Sequence, residues 1–132
     1  MAQIAITKLN DGPRNAVFHI VFSGDGSGDL TDEVVIDPAT SFDPALPAVP
    51  SLTIARLKYD LSGFDAWLEF DYLVSDELIW SMTGDQYVDA DLTEFGGLKD
   101  RAPNGGLGKL KLSTAGLGNN EHGMLIVWVR KD

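Results

Sequence analysis

The chain predicts an all-β fold: a single β-sandwich of immunoglobulin-like or jelly-roll type, built from about eight or nine short strands. Three observations carry that prediction. Apolar residues recur at every second position, which is the period of an extended chain whose side chains alternate faces. No long stretch keeps the three-and-four spacing of an amphipathic helix. Gly, Pro and Asn turns separate the apolar runs at regular intervals, and 132 residues suffice for one core.

The heaviest stretch is Phe64 to Met82, FDAWLEFDYLVSDELIWSM. In an extended chain Leu68, Phe70, Tyr72 and Val74 share one side and Glu69 and Asp71 the other. A polar turn at Ser75-Asp76-Glu77 follows, after which Leu78, Trp80 and Met82 resume the alternation. With Tyr59 and Trp67 close by, this hairpin offers the densest aromatic surface in the chain and is expected to be the nucleus of the fold.

The other elements follow in order. Ile4, Ile6 and Leu9 mark a short first strand, stopped by the Asp11-Gly12-Pro13 turn. From Asn15 to Ser23, Ala16, Phe18, Ile20 and Phe22 alternate with Val17, His19 and Val21, so both faces are apolar and the strand is expected to be central. Gly24 to Asp29 reads as a loop, because glycines so closely spaced lose too much backbone entropy inside an element. Glu33 to Ile36 reads as a strand. The segment 37–51, DPATSFDPALPAVPS, holds four of the six prolines, which remove N–H donors, so an extended crossing or an exposed arm is expected there. Leu52 to Leu61 returns to alternation, with Ala55, Leu57, Tyr59 and Leu61 on one side and Arg56 and Lys58 on the other. Gln86 to Glu94 fits a short strand or a loop. The glycine-rich 95–108 stretch, FGGLKDRAPNGGLG, is expected to be a long loop. Leu110 and Leu112 mark a strand, and Met124 to Val129, apolar on both faces, is expected to be central.

Twenty acidic against ten basic residues give a formal charge of −10. That balance opposes binding to nucleic acid, whose affinity rests on Lys and Arg neutralising phosphates. It favours solubility through self-repulsion, or complementarity to a basic patch on a protein partner. There are no cysteines, so disulfides, zinc–thiolate sites and cysteine nucleophiles are excluded. No apolar run reaches the length of a membrane-spanning helix, and MAQIAITKLNDG lacks the form of a signal peptide, so a protein made in a cytoplasm and not bound to membrane is expected.

Chemistry-bearing patterns are sparse. Asp25, Ser27, Asp29, Asp32 and Glu33 place oxygens at alternate loop positions, as a hard cation requires. Leu30 and Ile36, however, stand where a calcium loop needs its Gly and bidentate Glu, and an ordinary solvated turn is the stronger reading. His19 and His122 have no partner at metal spacing and there is no G-x-S-x-G elbow. Glu69 with Asp71, and Asp89 with Asp91, resemble a glycosidase pair in residue type alone. FGGLKDRAPNGGLG is neither a phosphate loop nor a dinucleotide fingerprint, so no cofactor and no catalytic group are expected.

Three stretches taken together carry a family resemblance: DGPRNAV from Asp11, DLSGF from Asp60 leading into LIWSM, and FGGL from Phe95 followed by NGGLGKLKLST. The arrangement resembles small all-β virion structural proteins of tailed bacteriophages, of the capsid decoration or cement type. The resemblance spans about residues 11 to 129, through turns and core strands. It implies a β-sandwich without an active site, found on the outer surface of the capsid, contacting the major capsid protein and forming a homo-oligomer such as a trimer. Candidate contact residues, chosen as apolar or basic residues in expected loops of an acidic chain, are Arg14, Phe42, Leu46, Val49, Lys99 and Arg101. The alternatives are a tail, neck or head-fibre component, or a carbohydrate-binding module in which Trp67 or Tyr87 stacks on sugar rings.

Overall fold

The computed structural model describes residues 2–46, 49, 51–72, 76–99 and 106–131. Among them lie ten strands: β1 (Gln3–Asp11), β2 (Asn15–Ser23), β3 (Glu33–Ile36), β4 (Leu52–Leu61), β5 (Asp65–Tyr72), β6 (Glu77–Met82), β7 (Tyr87–Asp91), β8 (Leu98–Lys99), β9 (Gly106–Ala115) and β10 (His122–Lys131). A 3₁₀ turn occupies Thr93–Phe95. The larger sheet has the order β1-β2-β10-β4-β7, with β8 also paired to β4, and the smaller sheet has the order β3-β9-β5-β6. Every pairing is antiparallel.

The pairings β5 with β6, β4 with β7 and β8, β3 with β9, and β2 with β10 nest inside one another like the rungs of one long hairpin. Rolling that hairpin brings β10 against β4 and β9 against β5, which closes two sheets over a common core. This is the jelly-roll member of the two expected topologies. The β5–β6 hairpin is the apex of the roll, yet β6 is an edge strand of the smaller sheet, so the hairpin is not the spatial centre. The centre of the larger sheet is β10, flanked by β2 and β4 as the two-faced apolar runs require.

The core is the alternation made solid. Ala16, Phe18, Ile20 and Phe22 from β2, Leu125, Val127 and Val129 from β10, and Leu57, Tyr59 and Leu61 from β4 face Ala66, Leu68 and Phe70 from β5 and Leu110 and Leu112 from β9. Burying so many large side chains is the main favourable term, at roughly 1.5 to 3 kcal/mol each before the opposing entropy is counted.

Two bulges shift expected faces. Between Leu68 and Glu69 of β5 the register with β6 slips, so Trp80 opposes Leu68 but Leu78 opposes Glu69. Leu78 therefore points outward and is 57% exposed, although simple alternation puts it with Trp80 and Met82. In β4 the extra residue is Ala55, between Ile54, which pairs with Val129, and Arg56, which pairs with Trp128. Ile54, which strict alternation would put on the side of Arg56 and Lys58, is buried as a result. The expected 95–108 loop also gives up its ends, to β8 and to the start of β9. Val74, Ser75 and Arg101 lie outside the described residues.

The segment after β3 crosses from the smaller sheet to the larger. Its start is held by Thr40 and Ser41 N–H groups donating to the Asp37 carbonyl, while Asp37 N–H donates to the Ser41 hydroxyl. Phe42 then turns inward. It is 8% exposed and meets Phe18 edge to face at 5.7 Å.

At the opposite end of the sandwich the loops are knitted by acidic side chains accepting backbone N–H groups, a role that suits short carboxylates in turns. Asp29 accepts from Leu117, Asp65 from Gly84, Asp85 from Gly63, and Glu121 from Gly118. The Asp29 carboxyl is held below its ordinary range, chiefly by the Leu117 N–H. Gly84 is fixed by proximity: a Cβ there would lie 2.4 Å from the Phe64 carbonyl oxygen. The obstacle is backbone, which does not swing aside, so Gly84→Ala is expected to cost roughly 1 to 3 kcal/mol. A shift of the urea midpoint at unchanged slope would measure it, and an unshifted midpoint would contradict the contact.

Candidate functional site

Cross-strand register sets the solvent side of the larger sheet. One row runs Ala5, Val21, Met124, Asp60, Tyr87; the next Thr7, His19, Ile126, Lys58, Asp89; the third Val17, Trp128, Arg56, Asp91. The middle of this face is an apolar block of Val17, Val21, Met124, Ile126 and Trp128 around His19. Val17, Met124, Ile126 and Trp128 are half-buried, and Val21 is 39% exposed. No element of the described chain packs over them from the solvent side.

Part of the charge on this face is paired in place. The Arg56 guanidinium forms a forked pair with Asp89, at 2.8 Å from Nε and 2.6 Å from the terminal nitrogen, and lies 4.8 Å from the Trp128 ring centroid. The Arg56 contact holds the Asp89 carboxyl below its ordinary range. Lys58 Nζ sits 5.5 Å from the Tyr87 ring centroid. Two shallow hollows flank the block: one of about 320 Å³ beside Val21, Met124 and His122, and one of about 270 Å³ beside Trp128 and Arg56.

The first hollow brings Asp60, Ser62 and His122 together, the residue types of a hydrolytic triad. Their bonding is structural. The Ser62 hydroxyl donates to the His122 carbonyl at 3.0 Å and accepts from its N–H at 3.2 Å, which ties β4 to β10 and leaves the imidazole out of the exchange.

The carboxylate pairs are likewise committed. Asp89 serves Arg56, Asp91 accepts from both the N–H and the hydroxyl of Thr93, Glu69 accepts from Trp67 Nε1 at 2.5 Å, and Asp71 accepts from Lys111. In the 24–33 loop, Asp25 accepts from Ser27 and Asp29 from Leu117 and Thr114, so these oxygens do not converge on one point. Asp32 belongs to a different group, with Glu69 and Asp76 on the outer side of the smaller sheet. Lys111 Nζ reaches Asp71 at 3.1 Å and Asp76 at 3.2 Å, so an ammonium already supplies positive charge there. Burial opposes the Lys111 charge, but the two carboxylates outweigh it and raise its pKa.

The sequence-derived contact residues divide. Arg14 is exposed in the β1–β2 turn and Lys99 is exposed on β8. Register joins them to one end of the larger sheet, where Asn15, Arg130, Thr53 and Lys99 form a single row. Leu46 and Val49 are half-buried, and Val49 packs on the core. Phe42 is removed from the surface: its ring is enclosed by Phe18 and by the Lys131 ammonium, 4.5 Å from its centroid. Arg101 lies outside the described residues. Trp67 is half-buried with its N–H bonded to Glu69, whereas Tyr87 is 60% exposed. The apolar block itself was open to detection as the second apolar side of the Ala16–Phe22 and Met124–Val129 runs.

No family model matches the chain, and no curated protein matches it. Among solved structures, the chain is similar to a cupin superfamily protein from Desulfitobacterium hafniense, at 12% identity and a TM-score of 0.35, over 98% of this chain and 77% of that one. At that level of likeness the all-β sandwich rests on the two sheets described above.

Proposed function

We propose that this chain is a non-enzymatic bacteriophage virion protein that decorates the assembled head, lying with the outer side of its larger sheet on the major capsid protein and bracing junctions between subunits. The observation that carries the reading is the neutral apolar block of Val17, Val21, Met124, Ile126 and Trp128 at the middle of an open face, in a chain of charge −10. Such a block on a flat face suits a protein surface better than a small ligand, which needs a concave site. The family resemblance of the turn and strand motifs supplies the identity of that surface. Arg14 and Lys99, at one end of the same sheet, would meet acidic groups at the rim of the contact, where charge acts mainly on association rate.

The test mixes the purified protein with mature, undecorated heads and counts bound copies by sedimentation and gel densitometry. Saturation in proportion to the capsid lattice is expected. Ile126→Asp, on the half-buried outer side and checked for native circular dichroism, should weaken binding roughly 30-fold, the loss typical of a central apolar anchor. Undiminished binding by that variant would sink the proposed face. Saturation at a few copies would move the protein to a vertex, neck or tail, and no binding would overturn the capsid reading.

A further inference from the structure

We propose that two copies of this chain join edge to edge through β1, antiparallel about a two-fold axis at Ala5, so that their larger sheets run on as one. An edge strand presents unpaired backbone donors and acceptors, and proteins that stay monomeric blunt such edges by shortness, bulges or charge. Among the described residues the other edges are blunted in those ways. β3 has four residues; β6 starts at Glu77 and is bulged against β5; β7 carries Asp89 and Asp91; β8 has two residues. β1 is different. It has nine residues, pairs with β2 in unbroken register from Gln3 to Lys8, and carries no acidic residue before Asp11 in a chain of charge −10.

Its sequence is also self-complementary. In Gln3-Ile4-Ala5-Ile6-Thr7 a two-fold axis at Ala5 sets Ile4 opposite Ile6 of the second copy, Ala5 opposite its own equivalent, and Gln3 opposite Thr7. Lys8 falls opposite Ala2, so no like charges meet. Ile6 is on the core side of the sheet yet 41% exposed, because β1 is the outermost strand; pairing would bury it against Ile4 of the second copy and continue the core across the seam. The register break between Lys8 and Asn10 limits the seam to the stretch before it. On the outer side Ala5 stands beside Val21, so the seam would set the two apolar faces next to each other. The inference goes beyond docking to a capsid and is read on the isolated protein.

Sedimentation equilibrium of the full chain across a concentration series should show a monomer–dimer exchange. Ala5 is exposed on the outer side of β1, so Ala5→Asp and Ala5→Lys leave the fold intact while placing like charges face to face on the axis. Each variant alone should raise the dimer dissociation constant roughly tenfold or more. An equimolar mixture of the two should recover dimer, as a heterodimer. A chain that stays monomeric throughout, a trimer, a dimer indifferent to Ala5→Asp, or a mixture that fails to pair would each overturn the proposal.

Discussion

Lys131→Ala should destabilise the protein by about 3 kcal/mol, because it strands a buried carboxylate. The Lys131 and Asp11 side chains are 4% and 9% exposed and form an ion pair, and Lys131 Nζ also donates to the Gly12 carbonyl at 2.6 Å. Asp11 keeps Lys8 at 3.0 Å and the Asp43 N–H at 2.7 Å, which places the cost at the lower end for a broken buried pair. Burial alone would raise the Asp11 carboxyl, but Lys131, the Asp43 N–H and Lys8 together bring it from 3.8 to about 2. A carboxyl lowered on folding stabilises the native state above its unfolded pKa, and that stabilisation fades as pH falls through the folded value. The wild type should therefore lose about 2 kcal/mol between pH 4 and pH 2 from this group alone. Lys131→Ala should lose less over the same interval. Equal slopes of stability against pH in the two proteins would refute the assignment.

Phe42→Ala should cost about 3 kcal/mol or more, a core-sized loss from a residue in a proline-rich segment. The ring fills space beside Phe18 and lies under the Lys131 ammonium, so truncation opens a cavity and removes a cation–π contact together. The two substitutions share Lys131, so their costs should not add: the double variant should fall short of the sum by 0.5 kcal/mol or more. Denaturant midpoints of the four proteins in that cycle decide the point. A Phe42→Ala midpoint equal to wild type would restore Phe42 to the surface.

Phe42 also shows what the sequence carries and what it conceals. Proline forbids ladder hydrogen bonds, and the absence of strand over the described part of 37–51 follows from that rule. The rule is silent on burial, and an aromatic ring can anchor a crossing without joining a sheet. Period-two alternation placed β2, β10 and the Arg56–Leu61 part of β4 correctly because each has a core to face. It failed at Leu78 and Ile54, since a bulge is set by how two strands meet and leaves no mark in either strand alone. In β2 and β10, apolar residues on both sides predict a central strand. The strands are central, but the second apolar side meets solvent in the single chain, so an apolar pattern on both sides does not by itself mean that both sides are covered. Lys131 with Asp11 was illegible for another reason: the partners are joined by the β2–β10 pairing, the outermost rung of the long hairpin, and no spacing rule links residues so far apart.

The place of β10 in its sheet has a consequence for how the molecule is made. β10 is the strand between β2 and β4, so the larger sheet has a gap at its middle until His122–Lys131 has left the ribosome. Until then the inner sides of Phe18, Phe22 and Leu57 have no finished sheet to hold them, and the nascent chain carries exposed strands that invite wrong partners. Folding then waits on pairings between strands distant in sequence, which are slow to find. The larger sheet is in this sense completed from its middle by the last of its strands to be made, and the hazard of misassembly is concentrated in the interval before that strand arrives.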